Sequence, residues 1–294
     1  MSVPFQGLTE VLTKDCHSKI PPARLSSTQL DAFAFDHRYL NRPDPETQEL
    51  ESMTAQPTIS IGDSLRGAVH PVILLSGDAD YPYYGVGTAF ILKHEDQFYA
   101  ISAAHVFTSQ EAAEDQFCLL TPKGKITVQF DRAMVFKTEP GPEHDLMIRR
   151  ILPSQRDTLF AAGIEPLDSY DTLEERFFDG AREVAVVGYP EQARDYDYEK
   201  RLVSAQIYTL MSVPAQSNVP GLQATQASGR VPMSMRGMSG SIVVAFFSDG
   251  ALFAGMAIMA SEATGLVHFI PGSRIVDYLD AATAKERRNE FLES

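Results

Sequence analysis

The chain is 294 residues long and 44% hydrophobic, with 39 acidic against 25 basic side chains and a net charge of −14. That apolar content excludes a disordered or collagen-like chain, and the acidity excludes a nucleic-acid partner, because phosphate binding needs a basic face. No apolar run is long enough to cross a bilayer, so no membrane partner is expected.

Residues 1–66 carry Pro21, Pro22, Pro43 and Pro45 and a charged run over 44–51, without strand alternation. They predict a partly structured N-terminal extension, a candidate regulatory or docking arm for a partner. The first 19 residues lack a basic stretch followed by an apolar one, so no secretory leader is expected. Cys16 and Cys118 are the only cysteines. Such sparse usage points to a reducing, cytoplasmic setting, with a Cys16–Cys118 bridge left open as the alternative.

From residue 67 the texture changes. Short Val-, Ile-, Phe- and Tyr-rich runs over 68–75, 87–93, 97–102, 117–120, 126–130 and 145–151 predict antiparallel strands. A more irregular connector follows over 153–182, with a helix expected over 171–178. Strand texture returns over 183–188, 202–210, 241–247, 251–259 and 265–270, and apolar Ile275, Leu279 and Ala282 near helical spacing predict a C-terminal helix from Ser273. Many short strands separated by turns favour an all-β barrel or sandwich over alternating βαβ units. The acidic clusters over 111–115 and 195–199 are expected to be solvated loops.

Three stretches carry residue types suited to acyl transfer: Gly85-Val86-Gly87-Thr88 leading to Ala103-Ala104-His105, then Asp145-Leu146, then Gly237-Met238-Ser239-Gly240. A serine hydroxyl needs a base to take its proton as it attacks, and an imidazole titrates near neutrality. A carboxylate on the far ring nitrogen fixes the tautomer, and backbone N–H groups beside the serine must face the developing oxyanion. The competing motifs are incomplete. Phe90 stands where a dinucleotide-binding loop would have its third glycine, Ser241 replaces the last glycine of a hydrolase elbow, and only His268 follows Ser239. His144 is expected at the surface or a strand edge, His268 on a strand in a structural role, and Cys118 as a small buried hydrophobe.

These stretches resemble those of trypsin-like (chymotrypsin-fold) serine peptidases, in particular the bacterial ones without the animal disulfides. Ala103-Ala104-His105, Asp145-Leu146 and Gly237-Met238-Ser239-Gly240 match the family motifs in the family's order. His105 precedes Asp145 by 40 residues and Asp145 precedes Ser239 by 94, close to the roughly 45 and 93 of chymotrypsin-type enzymes. The resemblance implies two six-stranded antiparallel β-barrels with a C-terminal helix: barrel one over about 67–152, the connector over 153–182, and barrel two with the helix over 183–294. It implies a serine endopeptidase acting on polypeptides, with His105 as base and acid, Asp145 as its orienter, Ser239 as nucleophile and the amides of Gly237 and Ser239 as oxyanion hole. It implies no metal or cofactor. Met238 stands where many members have an aspartate that pairs with a new N-terminus, so activation by that ion pair is not expected. The floor position of the specificity pocket is Met233, with Ile258, Met259, Ala260 and Gly265 around it, and a small or medium apolar side chain is expected there. A catalytically silent double-barrel binding or scaffold protein is the alternative.

Overall fold

A computed structural model describes residues 60–75, 80–81, 83–107, 117–121, 124–134, 141–199, 202–231 and 234–293. The chain enters through α1 (Ile61–Ser64), capped by the Ser60 hydroxyl, which accepts from the Asp63 N–H at 3.1 Å. Ile61 and Leu65 pack against the core.

The first half is one curled antiparallel sheet. Its strands are β1 (Val69–Leu75), β2 (Tyr83–His94), β3 (Gln97–Ser102), β4 (Phe117–Thr121), β5 (Gly124–Thr127), β6 (Phe130–Met134) and β7 (Met147–Ile151). They run in the order β5-β4-β1-β2-β3-β7-β6, and the short β8 (Leu167–Asp168) adds parallel to β2. Val69, Val72, Phe90, Leu92, Ile101 and Ile148 are fully buried in it, which is what their strand-forming side chains predict. The sheet is curled, and among the described residues it does not close into the six-stranded barrel expected over 67–152. Its end strands β5 and β6 follow each other in sequence yet share no ladder among the described residues. The link between them is tied to the connector instead: Leu152 N–H donates to Gln129 O at 2.9 Å, and Gln129 N–H donates to Gln155 Oε1 at 2.7 Å.

The connector's helix falls at α2 (Arg156–Ala161), not over 171–178. The latter stretch holds only short 3-10 turns at Ser169–Asp171 and Glu175–Gly180. Between them Leu173 N–H donates to Phe253 O at 2.8 Å, which removes a donor that a helix would need.

The second half is a closed barrel as expected. It comprises β9 (Glu183–Gly188), β12 (Tyr208–Ala215), β13 (Gln223–Ala227), β14 (Ile242–Phe246), β15 (Ala251–Ser261) and β16 (Leu266–Pro271), closing in the order β12-β13-β16-β15-β14-β9. A separate hairpin of β10 (Arg194–Asp197) and β11 (Leu202–Ala205) stands beside it. The acidic run after Ala193 therefore begins as a paired strand, and the single strand expected over 202–210 is split. Gln206 N–H extends that hairpin by one more bond, to Ala193 O at 2.9 Å, before β12 begins at Tyr208. The chain ends in α3 (Gly272–Glu293), whose Ile275 and Leu279 are fully buried.

One core joins the halves. Phe90 of β2 and Phe253 of β15 meet with ring centroids 5.4 Å apart, in a cluster that also holds Ile101, Ile148, Met256, Ile270 and Leu279. Cys118 is buried with a free thiol; Cys16 lies outside the described residues.

Candidate active site

Strand register brings the first two residues together. β3 and β7 pair antiparallel with Ser102 opposite Met147. His105 lies three residues beyond Ser102, in a 3-10 turn (Ala104–Phe107), and Asp145 lies two residues before Met147, so both fall at the same end of one ladder. The Asp145 carboxylate spends both oxygens on the same residue: Oδ1 accepts the backbone N–H of His105 at 2.8 Å, and Oδ2 accepts from Nδ1 at 2.5 Å. Ala104 N–H adds a bond to Asp145 O at 3.3 Å. With Nδ1 as the donor, Nε2 is left as the basic nitrogen. The hydrogen bond to Asp145 raises the His105 pKa above its ordinary 6.5, burial works against it, and the carboxylate charge raises it further.

Ser239 sits on the turn that feeds β14. Met238 N–H donates to Met235 O at 3.0 Å with Gly237 at φ +87°, the geometry of a type II turn, whose third residue needs positive φ. Arg236 O is held by Glu191 N–H at 2.7 Å. Since the peptide is planar and trans, the Gly237 N–H on that same unit points the opposite way. The amides of Gly237 and Ser239 donate no hydrogen bond among the described residues. Gly240 also has φ +87°, and a Cβ there would overlap the Thr88 carbonyl oxygen. The turn is docked on the other half through Thr88 N–H, which donates to Ser239 O at 2.9 Å.

Gly87 marks where the two halves converge. A Cβ on it would lie 2.7 Å from the Val106 side chain, next in sequence to His105, and 3.1 Å from Ser239 O. The imidazole's turn and the serine's turn thus flank one backbone position. The Ser239 hydroxyl donates to Ile258 O at 3.5 Å, a long bond.

Beside Ser239 opens a cavity of 510 Å3 lined by Val186, Met235, Met238, Ile258, Met259, Ala260 and Val267, with Arg236 and Glu262 also on its wall. Of the five pocket residues expected from the sequence, Ile258, Met259 and Ala260 line it. Gly265 does not: it closes the Ser261–Gly265 turn, its N–H donating to Ser261 O at 2.7 Å, away from the lining. Met233 lies outside the described residues. The two wall charges are engaged. Glu262 Oε1 accepts from the Ser234 hydroxyl at 2.6 Å and Met235 N–H at 2.9 Å, which lowers its pKa, and Arg236 pairs with Glu191 at 2.9 Å.

His268 lies on β16 as expected and bonds the Ser217 hydroxyl through Nδ1 at 3.1 Å. His144 ends the turn that precedes Asp145, half-buried, with Nε2 3.7 Å from Glu143. Thr88, Arg194 and Glu262 were not legible as site residues. Each acts by holding backbone, and no motif marks such a role. The described residues contain no group of three or more His, Cys, Asp or Glu side chains placed to hold a metal ion. No protein-family model matches the chain, and no curated protein matches it significantly in sequence.

Proposed function

We propose that this chain is a serine endopeptidase of the trypsin-like type, in which the curled sheet serves as the first barrel. The observation that carries the reading is the convergence at Gly87. There, an imidazole oriented by Asp145 and a serine on a glycine turn with two unengaged amides come from separate halves of the fold. A structural histidine does not need a carboxylate locked on both its backbone and its ring, nor a serine with vacant donors beside it.

In this mechanism Ser239 Oγ leaves its weak bond to Ile258 and attacks the scissile carbonyl carbon while its proton passes to His105 Nε2. The carbonyl oxygen becomes an oxyanion held by the N–H groups of Gly237 and Ser239. His105 then gives that proton to the departing amine as the C–N bond breaks, leaving an acyl group on Ser239. Water repeats the sequence: its proton goes to His105, its oxygen joins the acyl carbon, and Ser239 recovers its proton. Asp145 stabilises the imidazolium throughout. The side chain before the scissile bond enters the adjacent cavity, whose lining favours an apolar group of small or medium size. A lysine or arginine there would meet one carboxylate, Glu262, which lies exposed on the cavity wall, so its charge would be paired only through a solvent-screened contact.

A second reading, a catalytically silent binding scaffold, is favoured by one observation, the Ser239 hydroxyl turned toward Ile258. A fluorophosphonate probe separates the two. The enzyme reading expects covalent labelling of the wild type, none of Ser239→Ala, and cleavage of peptide libraries after apolar residues. Absence of labelling in the folded wild type would leave the scaffold. Strict cleavage after lysine or arginine would remove the apolar-pocket assignment. Residues 1–66 remain the proposed docking or regulatory arm, and the cytoplasm the proposed compartment.

A further inference from the structure

Behind the serine's turn lies a set of buried polar groups that the proposed chemistry does not use. Thr88 of β2 is fully buried. Its hydroxyl donates to Gly237 O at 3.1 Å and accepts from Tyr189 N–H at 2.9 Å. Its carbonyl accepts from the Ser102 hydroxyl at 2.7 Å, and its own N–H holds Ser239 O. Arg194 at the start of β10 is 8% exposed. Its Nη2 donates to Tyr189 O at 2.7 Å and Gly87 O at 2.9 Å, with a longer reach of 3.5 Å to Gly237 O. Its Nε is buried without a hydrogen-bond partner among the described residues. Among the described residues no carboxylate hydrogen-bonds this guanidinium. Its other partners are the Tyr196 hydroxyl and, through charge alone, Glu191, and a charge so buried is costly to the fold.

What the two side chains share is the Gly237 carbonyl. Gly237 is the freest joint in the turn, because glycine adopts either sign of φ without steric penalty. Rotation about that joint would swing the neighbouring amides away from any oxyanion. The Thr88 hydroxyl at 3.1 Å from the first half, with a long 3.5 Å contact from Arg194 of the β10–β11 hairpin, restrains that rotation. Through Gly87 O the same guanidinium reaches the strand position that also contacts Val106, so the restraint spans the imidazole's half and the serine's half.

We propose that Thr88 and Arg194 are positioning residues that fix the Gly237 carbonyl and so keep the amides of Gly237 and Ser239 aimed at the oxyanion. This rests on the peptidase reading. Both residues act through the turn and touch no reacting atom. Their effect belongs in the rate of the covalent step rather than in binding.

The test uses the full chain and a fluorophosphonate probe, whose phosphoryl oxygen occupies the oxyanion position. Inactivation rates are measured across probe concentration for wild type, Thr88→Val, Thr88→Ser and Arg194→Met, with urea unfolding of each as a check on folding. Thr88→Val and Arg194→Met are expected to lower the limiting rate about 100-fold or more, the loss seen when one oxyanion donor is removed. Half-saturating probe concentration should stay within about threefold, and Thr88→Ser should recover most of the rate because it keeps the hydroxyl. Folded Thr88→Val and Arg194→Met proteins that react at the wild-type rate would overturn the proposal. So would a rate loss that Thr88→Ser fails to restore, or variants that both fail to fold, which would mark the pair as purely structural. A wild type that never labels would overturn the peptidase reading itself, and this inference with it.

Discussion

At the scale of single residues the sequence marks the groups proposed to react and hides the contacts around them. His105, Asp145 and Ser239 stand out because acyl transfer demands those residue types in short motifs. Thr88 and Arg194 do not, since a threonine in a strand and an arginine in an acidic run are ordinary until a fold turns them onto the same carbonyl. The His105–Asp145 pair makes a pH prediction. A general base must be neutral to accept a proton, and the bond to Asp145 raises the His105 pKa above 6.5. The labelling rate of the wild type is therefore expected to climb with pH through a midpoint above 6.5 and then level off. The sign for stability is opposite: a raised folded-state pKa contributes stability that is fully present below 6.5 and is lost as pH rises through the folded value. Asp145→Asn removes both the bond to the ionised carboxylate and its charge. Its imidazole should titrate lower, by NMR of the ring nitrogens, and the labelling rate should drop about 10⁴-fold, as expected when the tautomer is no longer fixed. An unchanged titration would show that Asp145 does not orient His105.

At the scale of elements, strands were more legible than turns and connectors. β-branched and aromatic runs announce β1 to β3 and β14 to β16, because pleated, buried positions select those side chains. The β10–β11 hairpin escaped notice: Asp195 and Asp197 look solvated, and what holds the pair is remote, Tyr196 OH accepting from Gly85 N–H at 2.9 Å. The 171–178 stretch was misread for the same reason, its Leu173 amide being claimed by β15. The serine's turn is highly sensitive to a single substitution. Gly240→Ala would strain a φ of +87° and drive a methyl into the Thr88 carbonyl across the junction of the halves. We expect a loss of about 3 kcal/mol or more in urea unfolding, with labelling falling in parallel. Gly229 has open space around its Cβ position and no positive φ. Its alanine variant should be neutral or slightly stabilising, by up to about 1 kcal/mol. Equal effects of the two substitutions would refute the steric account.

At the scale of the whole molecule, the candidate site exists only while the two halves stay docked, and α3 is one of the elements that span them. It continues directly from β16 of the closed barrel, then crosses to the first sheet, burying Ile275 and Leu279 completely. Its outer turns meet the sheet through charges: Glu286 pairs with Arg150 at 2.9 Å, Arg287 with Glu95 at 2.6 Å, and Asp280 lies 3.2 Å from His94. The Arg150 pair is the better protected of these, since the guanidinium is 17% exposed and also chelates both oxygens of Asp131 at 2.7 and 2.8 Å. The exposed Arg287 pair is worth little on its own. The apolar contact should therefore dominate, and Leu279→Ala is expected to cost about 2 to 5 kcal/mol, the range for emptying a buried leucine site. The closed barrel has a cluster of its own around Phe178, Val186 and Phe269, but the larger cluster is shared by both halves, so probe labelling and far-UV circular dichroism should be lost at the same urea concentration in both wild type and variant. Labelling that vanished well before the circular dichroism signal would mean that the halves part while each remains folded, and that α3 is a strap over two independent units rather than a component of one core.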